Sequence, residues 1–252
     1  MKLHVLASGS AGNAYCVESG SDLIFIDIGV SLSSVKAFLK TLPEAGKKIS
    51  ILITHEHSDH ISGLLPFVKA FAPKIYTAEA TADFIANAGV RNNQIHRLKS
   101  GGYHEEKHFA LTGFHVPHDV PTFGFILMTD YGNLGFMTDC GCVTKDQLSH
   151  LEMADWLVLE ANHDIEMLKK GPYPSYLKRR IASSKGHLSN NDALASVAAL
   201  AGGNMKECFF AHVSEENNSY TLLEELATFA ATQYDISTHV LRQKKEVSFT
   251  LL

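Results

Sequence analysis

Nowhere in the 252 residues does an apolar run approach the roughly twenty positions of a membrane-spanning helix. The apolar stretch after Met1 is broken by Gly9 and Gly12 before it reaches the length of a secretion signal. Both absences predict a soluble, cytoplasmic protein with no membrane partner. Cysteine is scarce as well. Cys16, Cys140, Cys142 and Cys208 are scattered through apolar segments of a chain long enough to bury a large core, so reduced thiols are expected and a disulfide framework is not. Neither sign of charge dominates: 22 Lys and Arg face 27 Asp and Glu, a net charge of −5. That balance argues against coating nucleic acid through global charge and leaves room only for a local basic patch. With no linker, low-complexity tract or solenoid-length repeat, the expectation is one domain over residues 1–252.

What the sequence does contain is a regular alternation of short β-branched runs with amphipathic segments, the pattern of a layered α/β domain. Strands are predicted at residues 2–7, 14–18, 23–28, 49–54, 74–77, 109–115, 124–129, 133–137, 156–160 and 207–211. Helices are predicted from Ser31 as N-cap, through Leu64 to Phe71 with Pro66 in the first turn, and at 81–88, 145–153, 190–201 and 221–234. Strands followed by helices occur in both halves, which two packed sheets with helices outside would satisfy.

Histidine is abundant, with 14 residues, and histidine is the commonest metal ligand. After the apolar run Ile49–Thr54 come His55, Glu56, His57, Ser58, Asp59 and His60. His55 and His57, two apart in extended chain, point to one side, while Asp59 and His60 in the turn into the next helix can face a second ion. A solvated loop would be the plain alternative, but at this composition His-x-His-x-Asp-His arises by chance on the order of 1 in 500.

These residues resemble the metal-binding signature of the metallo-β-lactamase superfamily, which implies a four-layer αββα sandwich and a hydrolase. The resemblance implies that Asp27, at the end of an apolar strand, supports the histidine loop without binding metal. It implies a third histidine after a later strand, and His118 is chosen over His115 because it lies in the loop beyond the strand and precedes Asp119. Asp139 and His212 then complete the set. One ion would be held by His55, His57 and His118 and the other by Asp59, His60 and His212, with Asp139 between them. The implied cofactors are two divalent ions, Zn²⁺ or Mn²⁺, and the implied nucleophile is a hydroxide bridging them.

Within the superfamily, Leu159–His163, Gly186–Asn190 and Ala211–Ser214 resemble segments of the tRNA 3′-processing endonucleases and related phosphodiesterases. The loop Leu6–Asn13, the pair His118–Asp119, and Gly171–Pro174 ahead of Gly186 are similar to the bacterial WalJ/YycJ/VicX group. The long glycine-rich arm of the tRNA enzymes is missing, and the stretch from Asp139 to His212 is too short for the extra domain of the β-CASP nucleases. The resemblance implies a catalytic group of Asp59, His187 as proton donor to the leaving oxygen, and Glu160 orienting it, with Asn162 and His163 on the same rim. Lys169, Lys170, Lys178, Arg179, Arg180 and Lys185 form a sustained basic stretch, with Lys178, Arg179 and Arg180 as candidate contacts to a phosphate backbone. Together these imply a phosphodiesterase acting on nucleic acid, in particular a DNA exonuclease. Two alternatives stand beside it: a glyoxalase-type thioesterase or lactonase of the same fold, which needs no basic rim, and a non-catalytic regulator that binds metal or nucleic acid.

Overall fold

The computed structural model describes residues 1–43, 46–243 and 245–252. In the first half, β1 (Lys2–Ala7), β2 (Ala14–Ser19) and β3 (Asp22–Ile26) form an antiparallel meander. Next come α1 (Leu32–Leu39), β4 (Lys48–Leu52), α2 (Ser58–Ile61), α3 (Leu64–Phe71), β5 (Lys74–Ala78), α4 (Glu79–Asn87) and β6 (Ile95–Leu98). The second half opens with antiparallel β7 (Tyr103–Glu105), β8 (Phe109–Val116), β9 (Thr122–Thr129) and β10 (Gly132–Met137). It continues through α5 (Lys145–Leu151), β11 (Trp156–Glu160), α6 (Ile165–Lys170), α7 (Ser175–Ile181), α8 (Asn190–Leu200), β12 (Glu207–Ala211), α9 (Tyr220–Tyr234), β13 (Ser237–Val240) and β14 (Val247–Thr250).

Two seven-stranded sheets result, in the orders β14-β1-β2-β3-β4-β5-β6 and β13-β12-β11-β10-β9-β8-β7. In each, an antiparallel part gives way to parallel strands, β3 to β6 in the first and β10 to β13 in the second. Parallel neighbours need crossovers, and helices supply them on the outer faces. Between the sheets lie Tyr15, Phe125, Phe136, Trp156 and Phe209, with the Tyr15 and Phe136 rings 4.9 Å apart in an edge contact. The other face of the first sheet packs on α1, α3 and α4 through Val35, Phe67 and Ile85, and that of the second on α5, α8 and α9 through Leu151, Val197 and Leu223. This is the four-layer αββα sandwich expected from the sequence.

The expected N-cap holds: Ser31 Oγ accepts from the Ser34 N–H at 3.2 Å. The unexpected elements are α2, which takes the place of the turn expected around Asp59 and His60, and β6, β7, β13, β14, α6 and α7. They are short, and β7 and β14 alternate exposed with half-buried residues, while α6 and α7 bury only Leu168 and Ile181, so no apolar period marked them. Strands β3 and β4 end two residues earlier than expected, at Ile26 and Leu52. Among the described residues no helix is long and apolar enough to cross a membrane.

Phe125 is 0 % exposed and centred between the sheets. Phe125→Ala is expected to lower unfolding free energy by about 3–5 kcal/mol, measurable by urea denaturation followed through the single tryptophan, Trp156, which shares that layer.

Candidate metal centre

The early strand ends have a local cause. Directly after β3 the backbone of Asp27 turns left-handed (φ 56°), as does Asp139 (φ 55°) beyond β10 and His212 (φ 54°) directly after β12. Such a conformation costs a non-glycine residue about 1–2 kcal/mol, and here it turns side chains from the carboxyl ends of both sheets toward one point. The chain after β4 also leaves its sheet there, and Gly29 permits the turn to close: a Cβ on it would lie 1.6 Å from the Asp59 carbonyl oxygen. The His55–His60 segment from the first sheet thereby meets His118, Asp139, Glu160, His187 and His212 from the second.

Asp27 is fully buried and organises the first half of the site. Its Oδ1 accepts from the Thr54 N–H at 2.8 Å, and its Oδ2 accepts from the Thr54 hydroxyl at 2.8 Å and from His60 Nδ1 at 2.7 Å. With its one proton given to Asp27, the Thr54 hydroxyl can only accept from His55 Nδ1, 2.9 Å away. His118 Nδ1 donates to the Gly186 carbonyl at 3.0 Å, and His212 Nδ1 to Glu160 Oε1 at 2.7 Å. In their neutral form His55, His60, His118 and His212 thus carry the proton on Nδ1, which leaves Nε2 of each ring to a cation or a second proton. Outer partners of this kind hold ligating histidines in one tautomer.

The donor atoms form four overlapping groups, each with its atoms within 4.8 Å of one another: a first of His55, His57 and His118, a second of Asp59, His60 and His212, and two that contain Asp139, one with His55 and His60 and one with Glu160, His187 and His212. Asp139 Oδ2 lies 3.1 Å from His60 Nε2 and Oδ1 3.7 Å from His212 Nδ1, both of the second group, and Asp139 also has an oxygen within 4.8 Å of ring nitrogens of His55, of the first, and His60, so it adjoins both. His55 Nε2 and His57 Nδ1 are 3.0 Å apart, so a proton or a cation must lie between their lone pairs. His118 Nε2, Asp139 Oδ2 and His212 Nε2 are buried without a hydrogen bond, a cost that a coordinated cation removes. The donor set, imidazoles mixed with carboxylates, suits a divalent transition metal.

Electrostatics point the same way. Burial opposes charge on His60, but Asp139 and Asp27 outweigh it and lift its pKa well above an ordinary imidazole. Burial likewise works against charged His212, yet Asp139, Asp59 and Glu160 raise it to about 10. These carboxylates demand positive charge at the centre of the site.

Glu160, also fully buried, is the second organiser. Its Oε2 accepts from the Cys140 N–H at 2.8 Å and the Leu188 N–H at 3.0 Å, and its Oε1 takes His187 Nδ1 at 2.8 Å as well as His212. Burial works to raise its pKa, but the histidine partners bring it down to about 2. It is therefore an anion that aims two imidazoles.

Asn162 and His163 lie behind the site. Asn162 Nδ2 donates to the His212 carbonyl at 2.9 Å, and both residues are buried, 5 % and 3 % exposed, so neither lines open surface as a rim residue would. His115 is exposed on β8 against Phe123, not packed inside, and is outside the cluster. All four cysteines are free thiols. Lys178 Nζ is tied to the Lys169 carbonyl at 2.7 Å, Arg179 is exposed, and Arg180 pairs with Asp119 beside His118.

Sequence reasoning missed Asn13, Thr54 and Ser8. Asn13 Nδ2 donates to Asp59 Oδ2 at 3.2 Å and its N–H to the Asp59 carbonyl at 2.7 Å; Ser8 Oγ accepts from the His212 N–H at 3.0 Å. The glycines of the Ser8–Asn13 loop signalled a turn, but its contact with the metal centre spans residues distant in sequence.

Asp27→Asn keeps a residue type that tolerates the left-handed backbone but places an amide against a donor. It is expected to weaken metal affinity about 10- to 100-fold with the fold intact, as read by equilibrium dialysis and circular dichroism. His118→Ala is expected to lower bound metal where His115→Ala leaves it unchanged, and elemental analysis that reversed this order would exclude His118 as a donor.

The comparisons with known proteins agree with this architecture. Residues 23–212 match the Beta-lactamase superfamily domain model. The chain is 32% identical over 246 residues to exodeoxyribonuclease WalJ of Streptococcus pneumoniae, covering 95% of this chain and 91% of that protein. It is 33% identical over 240 residues to exodeoxyribonuclease YycJ of Bacillus anthracis, covering 92% and 89%. The crystal structure of the metallo-beta-lactamase fold protein YhfI from Bacillus subtilis superposes with a TM-score of 0.74 at 16% identity, over 99% of each chain. The chain belongs to the β-lactamase superfamily and, within it, to the family of WalJ and YycJ.

Proposed function

We propose that this metal-dependent hydrolase is a DNA exonuclease that uses two divalent ions, Zn²⁺ or Mn²⁺, in the cytoplasm. The observation that carries the reading is the set of overlapping donor groups that adjoin Asp139, with His187, aimed by the Glu160 that also holds His212, at their edge. WalJ and YycJ, both named exodeoxyribonucleases, supply the substrate class. His55, His57 and His118 would hold one ion and Asp59, His60 and His212 the other, with Asp139 shared. When bound, the ions would supply Lewis acidity and lower the pKa of a water enough for it to lose a proton to solvent and act as a nucleophile near neutral pH.

The chain's own residues divide the remaining work. His187 Nδ1 is 2.8 Å from Glu160 Oε1, so the ring presents Nε2 outward, and its side chain is 21% exposed at the site's edge. Burial disfavours its charged form, but Glu160 and then Asp139 overcome this and raise its pKa, so a proton is held where a leaving oxygen can take it. Glu160 transmits the same fixed geometry to His212, which keeps the donor and the metal centre in register.

The test is digestion of end-labelled single- and double-stranded DNA and RNA by metal-loaded protein, alongside thioester and lactone substrates. Release of mononucleotides from DNA ends supports the reading, and turnover confined to a thioester or lactone overturns it. His187→Ala is expected to slow DNA hydrolysis by roughly 10²- to 10⁴-fold but to affect bis-p-nitrophenyl phosphate far less, because nitrophenolate leaves without a proton, and bound metal should be unchanged.

A further inference from the structure

Of the basic stretch between Glu160 and His187, the cations differ in what they touch. Lys169 and Lys170 pair with Glu166 at 2.9 and 3.5 Å on an exposed face, and Lys178 Nζ is used on the Lys169 carbonyl. Arg180 alone among them reaches a residue of the metal centre's margin. Its Nε donates to Asp119 Oδ2 at 3.0 Å, and its Nη2 donates to the same oxygen. The other oxygen of Asp119, Oδ1, lies 3.1 Å from His118 Nε2 and 3.5 Å from His57 Nε2. Asp119 therefore stands between a guanidinium and two imidazoles of the first donor group.

The placement of Arg180 is built into the backbone. Beyond α7 the chain folds back, with the His187 N–H on the Ile181 carbonyl at 2.9 Å and the Gly186 N–H on the Ser183 carbonyl at 2.9 Å. The Gly186 carbonyl in turn accepts from His118 Nδ1. Gly141 fits against the same turn so closely that a Cβ would lie 2.3 Å from the Ser184 carbonyl carbon. The end of α7 is thus anchored to the loops that carry His118 and Asp139. A guanidinium offers five N–H donors in a fixed fork, and those not aimed at Asp119 belong to a side chain that is 54% exposed.

We propose that Arg180 is the residue that grips a phosphate of the nucleic-acid strand at the His57–His118 edge of the site, and that Asp119 is the positioning residue that aims it. The carboxylate fixes Nε and the plane of the fork, and the outward N–H groups present a charge-assisted, bidentate surface to non-bridging phosphate oxygens. Lys178 and Arg179 contribute only diffuse charge. This inference rests on the phosphodiester reading above, and it assigns the substrate contact to one residue of the basic stretch and adds Asp119, which that reading did not use.

The experiment has a readout that needs no turnover. Binding of a fluorescent single-stranded oligonucleotide and of inorganic phosphate to metal-depleted and metal-loaded protein is measured for wild type, Arg180→Ala, Arg180→Lys, Asp119→Ala, Lys178→Ala and the Asp119→Ala/Arg180→Ala pair. Arg180→Ala is expected to weaken both ligands about tenfold and to reduce the slope of log affinity against log salt by about 1, while Lys178→Ala changes affinity less than twofold. Arg180→Lys restores charge without the fork and recovers only part of the affinity. In kinetics the loss appears in KM with kcat largely retained. Asp119→Ala weakens binding in the wild-type background and has no further effect once Arg180 is absent, since its contribution runs through Arg180. Wild-type affinity in Arg180→Ala, or an additive double variant, overturns the assignment. A protein that binds phosphate through Arg180 but cleaves no nucleic acid would instead overturn the exonuclease reading and leave this contact standing.

Discussion

Two carboxylates removed from water, Asp27 and Glu160, set the geometry of the whole site. A buried anion is costly unless every lone pair is met, and each of these is met by a backbone N–H together with side-chain donors. The donors include imidazole nitrogens of His60, His187 and His212. Because a carboxylate accepts and does not donate, these rings are locked with Nδ1 protonated and Nε2 turned away from the carboxylate. The metal centre is therefore shaped from outside inward: the hidden acids choose the tautomers, and the tautomers choose which nitrogen faces a cation.

The scaffold makes this possible by ending strands from two sheets at one edge. Asp27, Asp139 and His212 all turn left-handed there, a backbone cost that packing on both faces of each sheet sustains. Ser8 and Thr54 then join the sheets chemically, Ser8 to the His212 N–H and the Thr54 carbonyl to the Phe123 N–H, while Asn13 ties its loop to Asp59 within the first half. Strand ends and the short, hydrogen-bonded loops just beyond them carry the residues that must hold position within a fraction of an ångström.

The site is asymmetric in exposure, and the asymmetry suits a polymer substrate. His55, His60, His118, His212 and Asp139 are buried, while His57, His187, Asp119 and Arg180 occupy the margin, 30%, 21%, 31% and 54% exposed at their side chains. On the proposed reading, a strand laid across that margin would meet His187 and Arg180 before it reaches the metal centre.

Much of this was legible in the sequence, for identifiable reasons. The apolar runs that became β1, β3, β4, β8 to β12 are mostly buried, so composition marked them, and the dense His55–His60 segment declared a metal centre because ligands two residues apart in extended chain share a side. The short edge strands and α7 bury too little to leave a pattern. No local signal showed that Glu160 serves His212 as well as His187, that Asn162 and His163 lie behind the site, or that Arg180 and not Lys178 meets Asp119. Sequence alone determined which residue types could bind metal and roughly where the strands ran, because those depend on local composition and period. Only the tertiary structure decided which nitrogen of each histidine faces inward and which cation reaches the margin, because the hydrogen bonds that set them depend on residues far apart in sequence, Asp27 for His60 and through Thr54 for His55, Glu160 for His212, Gly186 for His118 and Asp119 for Arg180.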